Sequence, residues 1–214
     1  MKKIIQLSLV LMLIFTGGCG MSKEQGSGKI DKESMPETEA YKDEFTREFM
    51  ASTEEVEDGF YTFESKTKGY TMLFPENAKI SSGDYEQIEN TYEALSFSEN
   101  LNDENITYFI STNFEESSHA ENISLNTKQL SRVSGYDGEY SKYELNDKTI
   151  YFGEKQNNDK GFYSYVAYIK SNNTDKGIRF IYNGRCLDRE QSCELSPSNI
   201  RGKIKKMTDS IKFK

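Results

Sequence analysis

The sequence contains few of the residues on which most enzymes and metalloproteins depend. Its 214 residues include no tryptophan, three cysteines and a single histidine, His119, in the polar stretch EESSHAEN. A lone histidine in a polar loop is typically solvated, and one histidine with scattered cysteines does not make a zinc site. Gly-x-Ser-x-Gly, His-Glu-x-x-His, Walker and dinucleotide-binding motifs are also lacking. We therefore expect no catalytic residue, no cofactor and no metal site.

Long apolar runs are scarce, and the one near the amino terminus is short. It extends from Ile4 to Phe15, which as a helix covers roughly 18 Å, whereas a membrane core is ~30 Å thick. Lys2 and Lys3 precede the run, and small residues follow it. This order predicts a secretory signal peptide at residues 1–18. The alternative, a short anchor that is never cleaved, is disfavoured by the length.

The end of this leader resembles the lipobox of bacterial lipoproteins. The segment is Thr16-Gly17-Gly18-Cys19, in which small residues precede a cysteine, although Thr16 stands where leucine is usual. The resemblance implies a diacylglyceryl group on the Cys19 thiol and cleavage before it. Two or three acyl chains, such as palmitate, are enough for stable anchoring. We therefore expect a lipid-anchored protein on the extracytoplasmic face of the cell membrane.

The charge balance points away from nucleic acid. The net charge is −8, and cleavage of the leader would remove two positive charges. An acidic surface of this kind does not suit a polyanionic partner. Frequent lysine, asparagine and isoleucine are typical of a low-GC Gram-positive bacterium.

The two remaining cysteines are predicted to form a disulfide. Cys186 and Cys193 close the short polar stretch CLDREQSC, and an even pair in an exported chain favours a bridge. A thioredoxin-like motif would need two intervening residues rather than six. Two free thiols are the other alternative.

Residues 19–58 are expected to form the lipidated cysteine, a flexible tether and an amphipathic helix. Residues 20–40 are almost without apolar side chains, so that burial cannot offset the entropy of ordering them. Tyr41, Phe45 and Phe49 then recur every fourth residue, as on one face of a helix over 41–56. That helix could pack on the domain, fray in solvent or bind a partner.

Residues 59–214 are expected to form a single α+β domain built on an antiparallel sheet of about seven or eight strands. Short alternating segments are separated by polar turns such as Asn146-Asp147. The segment 161–170 is apolar on both faces, which places it centrally in the sheet. Oxygen-rich stretches at 102–105, 157–161 and 172–177 hint at calcium, but they lack the spaced acidic pattern of a calcium loop. We interpret them as turns.

Two helices are predicted within this domain. Residues 121–133 place Ile123, Leu130 and Val133 near helical spacing, before Gly135. The carboxy-terminal helix begins near Pro197 and has a continuous apolar stripe that should lie on the sheet, formed by Ile200, Ile204, Met207 and Ile211.

The domain resembles the PsbP-like fold. The matching residues are Gly69-Tyr70, Phe74-Pro75 and the closing Ser210-Ile211-Lys212-Phe213. The resemblance implies an α+β sheet with a terminal helix, and a non-catalytic binding or assembly role. Together with the anchor, the tether and the missing catalytic motifs, it leads us to expect a protein of the cell envelope as the partner.

Tyrosine is abundant, with 14 residues. Such residues suit strands, where a buried ring can keep its hydroxyl wet, and sheet packing is the plainer interpretation. The functional alternative is a surface that binds a protein or a peptidoglycan glycan. Its candidate residues are Tyr136, Tyr140, Tyr143, Tyr163, Tyr165 and Tyr168.

An envelope hydrolase is the rival function. Its acids would be carboxylates such as Glu115 or Glu116. Adjacent residues of a strand point to opposite faces, which makes a solvated surface the better interpretation of this pair.

Overall fold

The computed structural model describes residues 35–157, 161–188, 193, 195 and 197–214. Cys19, the predicted signal peptide and most of the expected tether lie outside these residues. The strands are β1 Met50–Glu57, β2 Phe60–Glu64, β3 Tyr70–Pro75, β4 Lys79–Ile80, β5 Glu86–Ile88, β6 Tyr92–Leu101, β7 Ile106–Glu116, β8 Ser141–Leu145, β9 Lys148–Asn157, β10 Phe162–Ser171, β11 Lys176–Cys186 and β12 Lys212–Phe213. The helices are α1 Glu39–Lys42, α2 Glu44–Arg47, α3 Ile123–Ser134 and α4 Pro197–Ser210.

The larger sheet has eight antiparallel strands, in the order β4-β6-β7-β11-β10-β9-β8, with β5 also paired to β6. The run from β8 to β11 is a meander, as the turns predicted. Its last strand returns to pair with β7 from Lys176 opposite Glu116 to Cys186 opposite Ile106. The α+β class and the antiparallel pairing are therefore confirmed, as is the central position of β10.

A second, four-stranded sheet has the order β1-β2-β3-β12. The sequence analysis placed all strands in one sheet, so the division into two is a correction. In the β2–β3 turn, a Cβ on Gly69 would lie 2.2 Å from the Phe114 ring. Glycine at this position therefore lets the turn approach the larger sheet.

The predicted helix over 41–56 is wrong. Two single-turn helices, α1 and α2, are followed by β1, which pairs with β2. Asp43 begins α2 by accepting a hydrogen bond from the Thr46 N–H at 2.8 Å, and the Thr46 hydroxyl accepts one from the Ile80 N–H at 2.9 Å. Tyr41 and Phe49 lie in the core rather than on one helix face. The sheet therefore begins before residue 59.

Aromatic rings fill the space between the two sheets. Phe63 stacks near Phe74, whose ring centroid lies 4.9 Å from that of Phe97. Tyr70 of the small sheet stacks on Phe114 of the large one at 5.4 Å. These contacts place the main core on the inner face of the larger sheet.

The carboxy-terminal helix α4 packs where the sequence predicts. Its apolar stripe is buried, with Ile204 and Met207 fully inaccessible. The Arg201 guanidinium donates two hydrogen bonds to the Glu154 carboxylate of β9. The helix therefore packs against β3 of the small sheet, and its ion pair ties it to β9 of the larger sheet. In the part of the chain that the structure describes, no helix has both the length and the apolarity to cross a membrane.

Helix α3 lies on the outer face of the larger sheet, over β10 and β11. The Asn122 side chain accepts a hydrogen bond from the Leu125 N–H at 2.9 Å, and Gly135 ends the helix with a φ of 68°. The outer side chains of β7 are only partly covered, and Phe109 is 41% exposed.

Candidate binding face

The tyrosines of β10 lie inside the protein. Tyr163, Tyr165 and Tyr168 are each about 1% exposed. The first two point into the core between the sheets, whereas Tyr168 packs beneath α3 and donates a hydrogen bond to the Ala120 carbonyl at 2.6 Å. Because both faces of β10 are covered, these three residues are not a partner-binding surface, and the packing interpretation holds for them.

The other three candidate tyrosines are half-buried and have structural partners. The Tyr143 hydroxyl donates to the Asp209 carboxylate of α4 at 2.6 Å, which places it on the inner face. Tyr136 and Tyr140 meet edge to face at 5.2 Å on the outer face. The Tyr140 hydroxyl donates to the Thr127 carbonyl at 3.1 Å. The last two rings therefore hold one side of α3 against the sheet.

The opposite side of α3 borders an open apolar groove, which we call the α3 groove. Its volume is about 250 Å³, and its floor is Ile181 of β11 and Leu130 of the helix. Val133 lines the rim and is 76% exposed. Leu125, on the same side of the helix two turns earlier, is 38% exposed. A contiguous exposed apolar patch rimmed by polar residues is a feature of protein interaction sites, and the groove with Val133 at its rim has this arrangement.

Two arginines border the α3 groove and differ in their partners. The Arg179 guanidinium donates to Asn126 at 2.8 Å and to Gln129 at 2.9 Å, and lies 3.4 Å from the Glu115 carboxylate. Arg132, on the rim, has no hydrogen bond or ion pair within the described residues. An unpaired cation beside apolar surface suits a ligand that presents a carboxylate next to an apolar side chain.

The apolar pattern of α3 in the sequence did not reveal the α3 groove. The sequence analysis included Val133 in the apolar pattern of the helix, yet the inward position is taken by a polar residue, Asn126, which is 2% exposed. Asn126 donates to the His119 carbonyl at 2.9 Å and accepts from Arg179. Val133 lies on nearly the same face one heptad later, next to the end of α3 at Ser134, where its side chain is 76% exposed.

The candidate acids of a hydrolase do not converge. Glu115 contacts Arg179 and accepts a hydrogen bond from the Ser117 hydroxyl at 2.7 Å. Glu116 follows it on the opposite face of β7 and pairs with Lys176 at 3.5 Å. His119 is largely exposed, with its Nδ1 atom 3.5 Å from Glu115. Within the described ranges, no three acidic, histidine or cysteine side chains gather as a metal site would require.

The predicted disulfide is present. Cys186 at the end of β11 bonds to Cys193, with the two Cα atoms 5.7 Å apart. A Cβ on Gly161 would lie 2.7 Å from the Cys186 sulfur, so the bridge packs against the start of the β10 segment. It joins the sheet to the chain that precedes α4.

A second depression, which we call the polar cleft, lies near the start of α3. It has a volume of about 500 Å³, and its walls come from β9, β10 and the β10–β11 turn. Tyr151 and Ile123 contribute its apolar surface, and the turn 171–175 contributes hydroxyl, amide and carboxylate groups.

The described residues define an α+β protein in which a large antiparallel sheet is covered by a smaller sheet and a terminal helix on one side, and by α3 on the other. The family model described as "Putative lipoprotein YvcA" matches residues 36–212, and the chain belongs to this family. The match includes α1, α2 and β1, in agreement with the sheet's early start. The protein of the same name from Bacillus subtilis (strain 168) is 32% identical over 234 residues, which span 100% of this chain and 97% of that relative. Membership of this family supports the expectation of a lipid-anchored envelope protein.

Proposed function

We propose that this protein is an extracytoplasmic lipoprotein, anchored through Cys19, that acts as a non-catalytic binding or assembly module for a protein of the cell envelope. The partner segment docks in the α3 groove. It presents an apolar side chain to Leu130, Val133 and Ile181, and a carboxylate to Arg132.

The family and the amino-terminal sequence support the anchor. The chain belongs to a lipoprotein family, and the segment before Cys19 has the order of a lipobox. About twenty residues separate Cys19 from α1 at Glu39, and that length of polar chain lets the domain stand clear of the membrane surface.

The observation that most favours the binding face is the exposure of Val133. Leaving a Val side chain in water forgoes about 1.5–3 kcal/mol of burial, and Val133 stands beside an apolar floor with space above it. On a chain with a net charge of −8, Arg132, which has no ion pair among the residues that the structure describes, gives this face a local positive charge. An apolar segment with a neighbouring Asp or Glu complements both features.

In-cell photocrosslinking tests this proposal. A benzoylphenylalanine is placed at Val133, and the matched control carries it at Val56, which is 55% exposed on β1 of the other sheet. We expect the Val133 probe to capture one envelope protein that the Val56 probe does not. The captured peptide should contain an acidic residue, and Arg132→Glu should abolish the capture.

Three outcomes would overturn the docking assignment. These are capture at both positions alike, capture of a second copy of the chain, and capture that Arg132→Glu leaves unchanged. Correct folding of each variant is checked by its thermal melting curve.

A further inference from the structure

A buried lysine fixes the conformation of the β10–β11 turn, which forms one wall of the polar cleft. The Lys170 side chain is 9% exposed, and its ammonium donates to the Ser171 and Thr174 carbonyls, both at 2.5 Å. It also pairs with Glu121 at 2.9 Å. The Ser171 hydroxyl oxygen accepts hydrogen bonds from the Asn173 and Thr174 N–H groups. These bonds hold the β10–β11 turn in one conformation beside the cleft.

Several polar groups of the cleft have no partner within the described part of the chain. The Thr149 hydroxyl donates to the Asn172 side-chain oxygen at 2.8 Å, which leaves the Asn172 NH₂ group without an acceptor. The Asn173 side-chain amide and the Asp175 carboxylate also make no hydrogen bond or ion pair there, and all three residues are exposed, so that these groups face solvent at the mouth of the cleft. Planar amide and carboxylate groups together offer both donors and acceptors to a ligand.

The opposite wall is aromatic and aliphatic. Tyr151, on the outer face of β9, is half-buried against the cluster beneath α3 and turns the rest of its surface to the cleft. Ile123 lies beside it. A flat ring with an apolar body and a polar tip suits a ligand that has one apolar face and polar edges.

The charges exclude a simple anion site. The one cation of the cleft, Lys170, is already satisfied by Glu121 and two carbonyls, and Glu121 and Asp175 outnumber it. A phosphate or sulfate would therefore meet net negative charge. A neutral ligand rich in hydroxyl groups meets no such penalty, and the volume is within the range of small-molecule sites.

We propose that the polar cleft binds a pyranose unit of a glycan. The C–H face of the sugar ring stacks on Tyr151. Neighbouring hydroxyl or acetamido groups bond the Asn172 and Asn173 amides and the Asp175 carboxylate. This site lies across α3 from the α3 groove and does not depend on the proposed protein partner.

Calorimetry with a defined sugar tests the proposal. The probe is the tetramer of N-acetylglucosamine, titrated into the full-length lipidated protein in a detergent without a sugar headgroup. Asn173→Ala and Asp175→Asn should each weaken binding by about fivefold, the effect of one lost hydrogen bond. The matched controls are Asn102→Ala and Asp103→Asn, which alter exposed residues of the β6–β7 turn and should leave the affinity unchanged.

The stacking role of Tyr151 needs a conservative change, because its ring also packs on the protein. Tyr151→Phe keeps the ring and should retain binding, whereas Tyr151→Leu should lose it while the melting curve shows a folded protein. No heat of binding with the tetramer, or affinities that the Asn173 and Asp175 variants leave unchanged, would overturn the assignment. Failure of this test leaves crosslinking at Val133 unaffected, so the two proposals are judged separately.

Discussion

The Nζ atom of Lys203 on α4 lies 2.6 Å from Oε2 of Glu99 on β6. The Glu99 side chain is 4% exposed, and the Tyr108 hydroxyl donates a further hydrogen bond to it. This ion pair joins the carboxy-terminal helix to the larger sheet where the carboxylate has little access to water. Breaking such a pair is costly because one buried charge is left without its partner.

Lys203→Met should therefore lower the free energy of unfolding by about 3 kcal/mol. The matched control is Lys206→Met, since Lys206 and Glu57 are both about half exposed and 3.3 Å apart; its effect should stay below about 1 kcal/mol. Urea denaturation measures both variants. Adding Glu99→Gln to Lys203→Met should recover much of the loss, because the buried charge is then removed. Equal effects of Lys203→Met and Lys206→Met would contradict this account.

Two glycines should respond to alanine in opposite directions. A Cβ on Gly69 would overlap the Phe114 ring, whereas a Cβ on Gly202 meets nothing within 4 Å. Gly69→Ala should destabilise the protein by about 1–3 kcal/mol through overpacking. Gly202→Ala, within α4, should stabilise it by about 0.5–1 kcal/mol. Thermal melting distinguishes them, and a stabilising Gly69→Ala would show that the turn does not approach Phe114.

The disulfide should contribute measurably to stability. Cys186 and Cys193 are seven residues apart, and closing so short a loop in the unfolded chain is worth about 2–3 kcal/mol. The double variant Cys186→Ala and Cys193→Ala should lose that amount in urea denaturation. Non-reducing peptide mapping should find the two cysteines in one linked fragment. Labelling of both thiols in the untreated protein would rule out the bridge.

Glu93 on β6 should make stability depend on pH. Its carboxylate is fully buried and accepts a hydrogen bond from the Lys66 N–H at 2.9 Å. Burial is the main cause that raises the pKa of Glu93 above its ordinary value. The folded state thus holds the proton more tightly than the unfolded chain. This group's contribution is greatest below the unfolded pKa and is lost as pH rises through the raised folded one.

Glu93→Gln removes the titrating carboxyl group and should therefore remove this loss of stability at higher pH. The difference in unfolding free energy between the variant and the wild type should shift in favour of the variant as pH rises above the ordinary carboxyl range and through the raised pKa of Glu93. Glu86→Gln, at an exposed position on β5, is the control and should show a flat difference. A flat difference for Glu93→Gln as well would mean that the carboxylate is not buried as described.

Local patterns predicted much of the fold. The stripe from Ile200 to Ile211 has the helical period and is buried along its length. Asn146-Asp147 and the polar stretch 172–175 mark the turns of the meander, where backbone chemistry decides the structure over a few residues. The structure of segment 41–56 could not be predicted from its local pattern. Its aromatic spacing fits a helix, but contacts with distant strands, such as Thr46 with Ile80, override the local pattern.

The candidate site was less predictable. Tyrosine content on β10 could not reveal that both faces of the strand are covered, since this depends on how the layers stack. The burial of the polar Asn126 within α3 is stabilised by Arg179, from a strand 53 residues away. Such long-range polar contacts leave no periodic signal in the sequence.

The most direct measurement of the central claim is the intact mass of the protein purified from the membrane fraction. We expect a chain that starts at Cys19 and has the added mass of a diacylglyceryl group. Cys19→Ala should release the protein from the membrane fraction or leave it unprocessed. An unmodified polypeptide that still begins at Met1 and remains in the cytoplasm would contradict the account.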